Sequence, residues 1–263
     1  MSRKKAAQQA PRIFTPEYYS RMHDLEAVSW WNAGMRDTAR MLLARAGLPE
    51  SGRMLDAGCG SGQTMSWFQR DHPEWTVAGI DVAPEGLSVA RSMGLSVEQA
   101  SVLSLPFESQ AFDLVVTLDV LQHLPLDGGD AIALAEFGRV LRPGGVLLVR
   151  TNAQAVPRVR DDHEFSFRKY QPPELRNKLE ASGFDVIVLG RANALLGLAE
   201  IPRELRANKQ QSAEYHGILA EPRQTAGVFR GLLRNWLALE GRALAAGWQL
   251  PFGRTIFALC RAR

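Results

Sequence analysis

A chain of 263 residues, 46% hydrophobic and 22% charged, has the composition of an ordinary globular protein. It is long enough for one domain with a complete core and an insertion, but cramped for two unrelated domains. The formal net charge is only +3, and Lys and Arg are scattered among Asp and Glu, which argues against a basic nucleic-acid face.

No apolar run reaches about eighteen residues and the N-terminus lacks the apolar core of a signal peptide, so neither a membrane span nor export is expected; peripheral membrane contact stays open. Cys59 and Cys260 have no spacing that suggests a metal site or a disulfide framework, which fits a reducing cytoplasm. Residues 1–23 read as a flexible tail, because Arg3, Lys4, Lys5 and Arg12 open the chain with no acidic residue among them. Apolar Leu25, Val28, Trp31, Met35, Ala39 and Leu42 or Leu43 then recur at three- to four-residue intervals and predict a helix over Asp24–Ala46.

From Arg53 short apolar runs alternate with helical stretches. Met54–Ala57, Thr76–Ile80, Ser96–Ala100, Leu114–Leu118 and Val146–Val149 are strand candidates, and a sixth, Phe184–Leu189, follows the helical Glu174–Ser182. The segments between the first five have the length of crossover helices. Such sustained alternation predicts an α/β fold with a mostly parallel, doubly wound sheet covered on both faces. Residues 24–190 form this core with its N-terminal helix. The pattern breaks over 191–253, where Phe229, Leu232, Leu233, Trp236, Leu237, Glu240 and Leu244 recur at helical spacing, and a helical insertion is expected. Residues 254–263, with the β-like run Thr255–Cys260, return to the sheet as a last strand.

The first strand runs into Asp56-Ala57-Gly58-Cys59-Gly60-Ser61-Gly62-Gln63-Thr64, a glycine-dense turn opening a helix. Glycines admit positive φ and let a ligand approach more closely than a Cβ permits, and the helix start offers N–H groups to an anion. A dinucleotide loop needs a third glycine where Gln63 stands, so an NAD-dependent dehydrogenase is disfavoured. The second strand ends in Gly79-Ile80-Asp81-Val82, which sets a carboxylate at the carboxyl edge of the neighbouring strand, where it can accept both hydroxyls of a ribose.

An acidic residue followed by Gly-x-Gly-x-Gly, with Asp81 downstream, resembles the class I S-adenosylmethionine-dependent methyltransferases. Three later segments are similar to that family: Ala100-Ser101-Val102-Leu103-Ser104-Leu105-Pro106-Phe107, the stretch from Phe112 to Leu124, and Arg139-Val140-Leu141-Arg142-Pro143-Gly144-Gly145 leading into Val146. The resemblance covers roughly Arg53 to Leu189. It implies a seven-stranded Rossmann-like sheet whose last strand is antiparallel, and S-adenosylmethionine as cofactor. In this resemblance Asp56 orients the methionine amino group, and the loop of Gly58, Cys59, Gly60 and Gly62 passes beneath the cofactor. Asp81 holds the ribose, Val82 and Val102 enclose the adenine, and Leu118 and Asp119 lie near the reacting methyl. Trp30-Trp31 and Arg36 resemble a covering helix whose arginine reaches the cofactor carboxylate; ordinary core packing of the tryptophans is the competing expectation. Many relatives carry Asp where Ser101 stands, so adenine selection is expected to be weaker by about 1 kcal/mol.

The family chemistry is in-line displacement onto a small-molecule acceptor, through O or N, with C left open. His123 is the first general-base candidate, since its ordinary pKa lies near working pH; the alternative is that it caps a helix or ties down a loop. His163 is the second. The insertion is a lid, a dimer contact or a lipid-contacting surface, and the chain a monomer or homodimer. The paired tryptophans and Leu250-Pro251-Phe252-Gly253 look like bacterial methyltransferases of sugar, quinone or secondary-metabolite pathways. A non-catalytic S-adenosylmethionine-binding regulator or partner subunit is the rival reading.

Overall fold

The computed structural model describes residues 29–154, 168–198 and 227–263. Strand β1 (Gly52–Ala57) lies between β2 (Trp75–Asp81) and β4 (Phe112–Leu118), and β3 (Val97–Gln99) forms the edge beyond β2. On the other side follow β5 (Leu141–Asn152), β7 (Thr255–Ala262) and β6 (Phe184–Ala192), giving the order β3-β2-β1-β4-β5-β7-β6. The first five strands pair in parallel, and β7 runs antiparallel to both β5 and β6. The expected Rossmann-like sheet is therefore present.

Alternation along the strands divides the core in two. Leu147 and Val149 of β5 and Ile256, Ala258 and Cys260 of β7 face α4 (Gly129–Val140) and α5 (Pro172–Ala181). Val146, Leu148, Phe257 and Leu259 face the opposite layer, to which α1 (Trp30–Ala46), α2 (Gln63–Asp71), α3 (Pro84–Ser92) and α6 (Gly227–Ala245) contribute. A strand buried on both sides reads as a continuous apolar run, which is why these segments stood out in the sequence.

Several boundaries differ from expectation. The third strand is the short Val97–Gln99 rather than Ser96–Ala100, because it is a half-exposed edge with a partner on one side only. The fifth strand extends to Leu141 and Asn152, since β7 pairs with it as far as Asn152. Strand β6 continues through Arg191 and Ala192, past the expected start of the insertion, because the ladder to β7 persists to Ala192↔Thr255. The Arg191 guanidinium is buried there and donates to the Gln154 and Gly253 carbonyls and to Gln171.

Helix α1 starts at Trp30, capped by the Ser29 hydroxyl, which accepts from Asn32 N at 3.3 Å. Residues 24–28 of the expected helix, the 1–23 tail and the 199–226 part of the insertion lie outside the described residues. Helix α6 is helical as the spacing implied and packs closely on α1: a Cβ at Gly34 would lie 2.5 Å from Leu237 Cδ1. Leu237 and Leu244 are buried, whereas Leu232, Trp236 and Leu239 are exposed. Buried Glu240 accepts from Asn193 N at 2.6 Å, from Ala194 N and from the Trp236 indole, which fixes α6 to the end of β6.

The α4–α5 layer is fastened by a buried carboxylate. Asp130 of α4 accepts from Lys178 Nζ and the Tyr170 hydroxyl, each at 3.0 Å, and from Arg168. Burial by itself works against the Asp130 charge, but the bonds from Lys178 and Arg168 outweigh it and hold the carboxyl below its usual range. Asp130→Ala leaves Arg168 without its anion and is expected to cost about 3 kcal/mol in urea denaturation at neutral pH. Because the folded-state pKa is depressed, the contribution is complete above 3.8, the ordinary Asp value, and is lost as pH falls through the folded value. The gap between wild type and variant should narrow in acid.

Candidate active site

The turn after β1 is shaped by hydrogen bonds that demand glycine. Gly58 N and Cys59 N both donate to the Ile80 carbonyl at 2.8 Å, which folds the turn back across the end of β2. Gly58 has φ +94°, and a Cβ there would come within 2.2 Å of Val120 Cγ2. Gly62, at φ +81°, opens α2 without a side-chain cap, so the positive end of the helix dipole lies at the turn.

Asp81 is clipped into the same turn. Its Oδ2 accepts from Gly60 N at 2.8 Å and its Oδ1 from Ala83 N at 2.9 Å. Burial pushes the carboxyl above its usual range, and the N–H groups of Ala83, Gly60 and Val82 pull it part of the way back. Each oxygen keeps further acceptor capacity. Asp56 is 2% exposed at the end of β1, and the charges of Asp56 and Asp81 add to burial in raising the pKa of the Cys59 thiol between them. Asp56, Cys59, Gly60 and Asp81 are thus brought together.

Helix α1 carries two dry donors: Asn32 Nδ2 and Arg36 Nε are buried without an acceptor. Burial, the Arg40 charge and, more weakly, the Arg234 and Arg70 charges lower the Arg36 pKa, with Asp37 opposing them. A buried donor left unmet costs about 1–3 kcal/mol.

At the carboxyl edge of β4, Asp119 takes a positive φ of +61°, and its carboxylate is held by Arg150 of β5 through Nε at 3.1 Å and Nη2 at 2.6 Å. The Arg150 guanidinium sits 5.3 Å from the ring centre of Trp31 on α1. Beyond Asp119, His123 closes the 3-10 turn Leu121–His123 with its side chain exposed. The protein around it still lowers its pKa through desolvation, and Asp119 opposes that shift. Its neighbour Gln122 ties the loop to β5: the Gln122 carboxamide oxygen accepts from Thr151 Oγ1 and Asn152 N, both at 3.1 Å. His163 lies outside the described residues.

On the β2–β3 side, Val82 is 58% exposed, whereas Val102 is 6% exposed and belongs to the core, so the two expected walls of an adenine slot are unequal. The Ser101 hydroxyl accepts from Leu103 N at 3.2 Å, which leaves it one further lone pair. Arg139 steadies this loop, donating to the Leu105 and Phe107 carbonyls while paired with Glu136. Sequence reasoning missed Asn32, Gln122, Arg139 and Arg150. Only two left a signal: Asn32 stands one turn before Arg36, and Arg150 is a charge ending an apolar strand.

Residues 55–149 match a family model described as a methyltransferase domain. That stretch, with the glycine turn and Asp81 inside it, is a methyltransferase domain. Over 111 residues the chain is 39% identical to trans-aconitate 2-methyltransferase of Methylobacterium nodulans, covering 41% of this chain and 42% of that protein. It is 27% identical over 139 residues to the tRNA (carboxymethyluridine(34)-5-O)-methyltransferase of Arabidopsis thaliana, covering 51% of this chain and 33% of the relative. The chain thus spans less than half the length of either curated relative. In fold it is similar to Haemonchus contortus phosphoethanolamine N-methyltransferase 2, solved in complex with S-adenosyl-L-methionine, with a TM-score of 0.61 at 19% identity over 95% of this chain and 58% of that one. A complex between the Haloferax volcanii Trm112 methyltransferase activator and a methyltransferase gives a TM-score of 0.60 at 18% identity over 97% and 99%.

Asp81→Ala is expected to weaken S-adenosylhomocysteine binding by about 1.5–3 kcal/mol in isothermal titration, the cost of losing hydrogen bonds to a charged group. In the wild type, affinity should fall as pH drops through the raised Asp81 pKa, so the loss begins at higher pH than for an ordinary carboxylate. An unchanged affinity in the variant removes Asp81 from the site.

Proposed function

We infer that this chain transfers a methyl group from S-adenosylmethionine to an oxygen or nitrogen atom of a small-molecule acceptor by direct in-line displacement, with carbon left open. The observation that carries this reading is the 2.8 Å contact of Gly60 N with the Asp81 carboxylate, which joins the glycine turn and the strand-two acid in one crevice. The residues around it fit the cofactor. The unmet donors of Asn32 and Arg36 suit a carboxylate, and the exposed face of Val82 suits a flat base. Asp81 would hold the ribose, Asp56 the amino group, and Ser101 the adenine edge.

S-adenosylmethionine supplies an activated methyl group on a positively charged sulfur. What remains for the protein is placement, and holding an acceptor atom about 3 Å from the methyl lowers the barrier by roughly 7–11 kcal/mol. Leu118 and Asp119 border that position. His123 is the candidate base, and its lowered pKa keeps the imidazole neutral and able to accept a proton at neutral pH. Among the described residues no helix is long and apolar enough to cross a membrane.

Methylation of RNA is the second reading, favoured by the similarity to a tRNA methyltransferase. Against it, Arg40, Arg142, Arg150, Arg168 and Arg234 each pair with an Asp, which leaves no bare basic stripe among them. Incubating the purified chain and labelled S-adenosylmethionine with a cell extract tests both. Label in small molecules with the mass gain of one methyl supports the proposal, and label confined to RNA replaces it. Binding without any transfer favours the regulator or partner-subunit reading. With the acceptor in hand, His123→Ala should lower turnover about a hundredfold. Wild-type turnover should fall with acid only below pH 6.5, the ordinary His value.

A further inference from the structure

Asp119 and Arg150 form a closed unit at the edge where β4 and β5 end side by side. Leu118 pairs with Arg150 in the ladder, Asp119 N donates to the Arg150 carbonyl at 2.8 Å, and the two side chains form an ion pair at 2.6 Å. Their side chains are only 27% and 13% exposed, so solvent screens the pair weakly. Asp119 reaches this position through a left-handed backbone that side chains other than glycine seldom adopt, a conformation that persists where surroundings impose it. The open face of the guanidinium is stacked by Trp31, so the cover helix rests on the same unit. Gln122 pins the next two residues of β5.

The geometry points to Arg150 as a positioning residue that neutralises Asp119 beside the methyl-transfer position. This rests on the proposed function, which sets the reacting methyl near Leu118 and Asp119. Methyl transfer converts a positive sulfur into a neutral one. A bare carboxylate at this edge would favour the positive form, stabilising the ground state more than the transition state and slowing the reaction. Arg150 cancels that preference while holding the carboxylate in one orientation, and Trp31 makes the cancellation depend on a seated α1.

The ratio of affinities for S-adenosylmethionine and S-adenosylhomocysteine, which differ in the charge on sulfur, tests this by isothermal titration without any acceptor. Arg150→Gln should raise the preference for the sulfonium compound by at least about fivefold, the size expected of a bare charge a few ångströms away even under fully aqueous screening. Asp119→Asn leaves the arginine uncompensated and should lower the preference by a similar factor; Asn tolerates the left-handed backbone as Asp does, which preserves the fold. Arg150→Lys should keep the wild-type ratio, and the double variant Asp119→Asn with Arg150→Gln should restore it. If both affinities fall together in the single variants and the ratio stays fixed, the pair is only structural and the proposal is overturned. A wild-type protein that binds neither compound overturns the functional reading beneath it.

Discussion

Strand β1 constrains everything built around it. It is the strand at which chain order reverses, with β2 and β3 on one flank and β4 and β5 on the other. The helices leaving β1 and β4 must diverge to opposite faces, and a crevice opens at the carboxyl ends of the strands. Backbone pairing alone dictates its place. The register of β1 with β2 brings the glycine turn beside Asp81, and the register of β4 with β5 brings Asp119 beside Arg150.

Burial gives this crevice its electrostatic character. Asp81 is desolvated yet held by backbone N–H groups, Asp119 is held by a cation, and the donors of Asn32 and Arg36 are dry and unmet. Such a distribution costs folding energy unless a ligand meets the donors, since each unmet buried donor weighs about 1–3 kcal/mol against a net stability of roughly 5–15 kcal/mol. A carboxylate would meet the two donors of α1 and hydroxyls would meet Asp81, as the proposed reading requires.

Helices α1 and α6 complete the layer over one face. Their approach is close because Gly34 meets Leu237 and Gly241 meets Thr38 without side-chain bulk between the axes. Glu240 then fixes α6 to the end of β6, and Trp31 fixes α1 to Arg150. The cover is therefore tied to the sheet at two points, both on the β5–β6 flank and remote from each other in sequence.

Local pattern was enough for the sheet, the glycine turn and Asp81. Strands buried on both faces must be apolar throughout, a ligand-bearing turn must be glycine-rich, and each of these requirements is satisfied within a few consecutive residues. Strand ends were less legible, because the length of β3, β5 and β6 is set by the partner alongside rather than by the strand's own residues. The same holds for the site's supports. Whether Gln122 reaches Thr151 and Asn152, whether Asn32 is left unmet, and whether Arg150 finds Asp119 depend on which backbones the tertiary structure sets side by side. Composition and periodicity carry no record of that distance, and only the folded chain decides it.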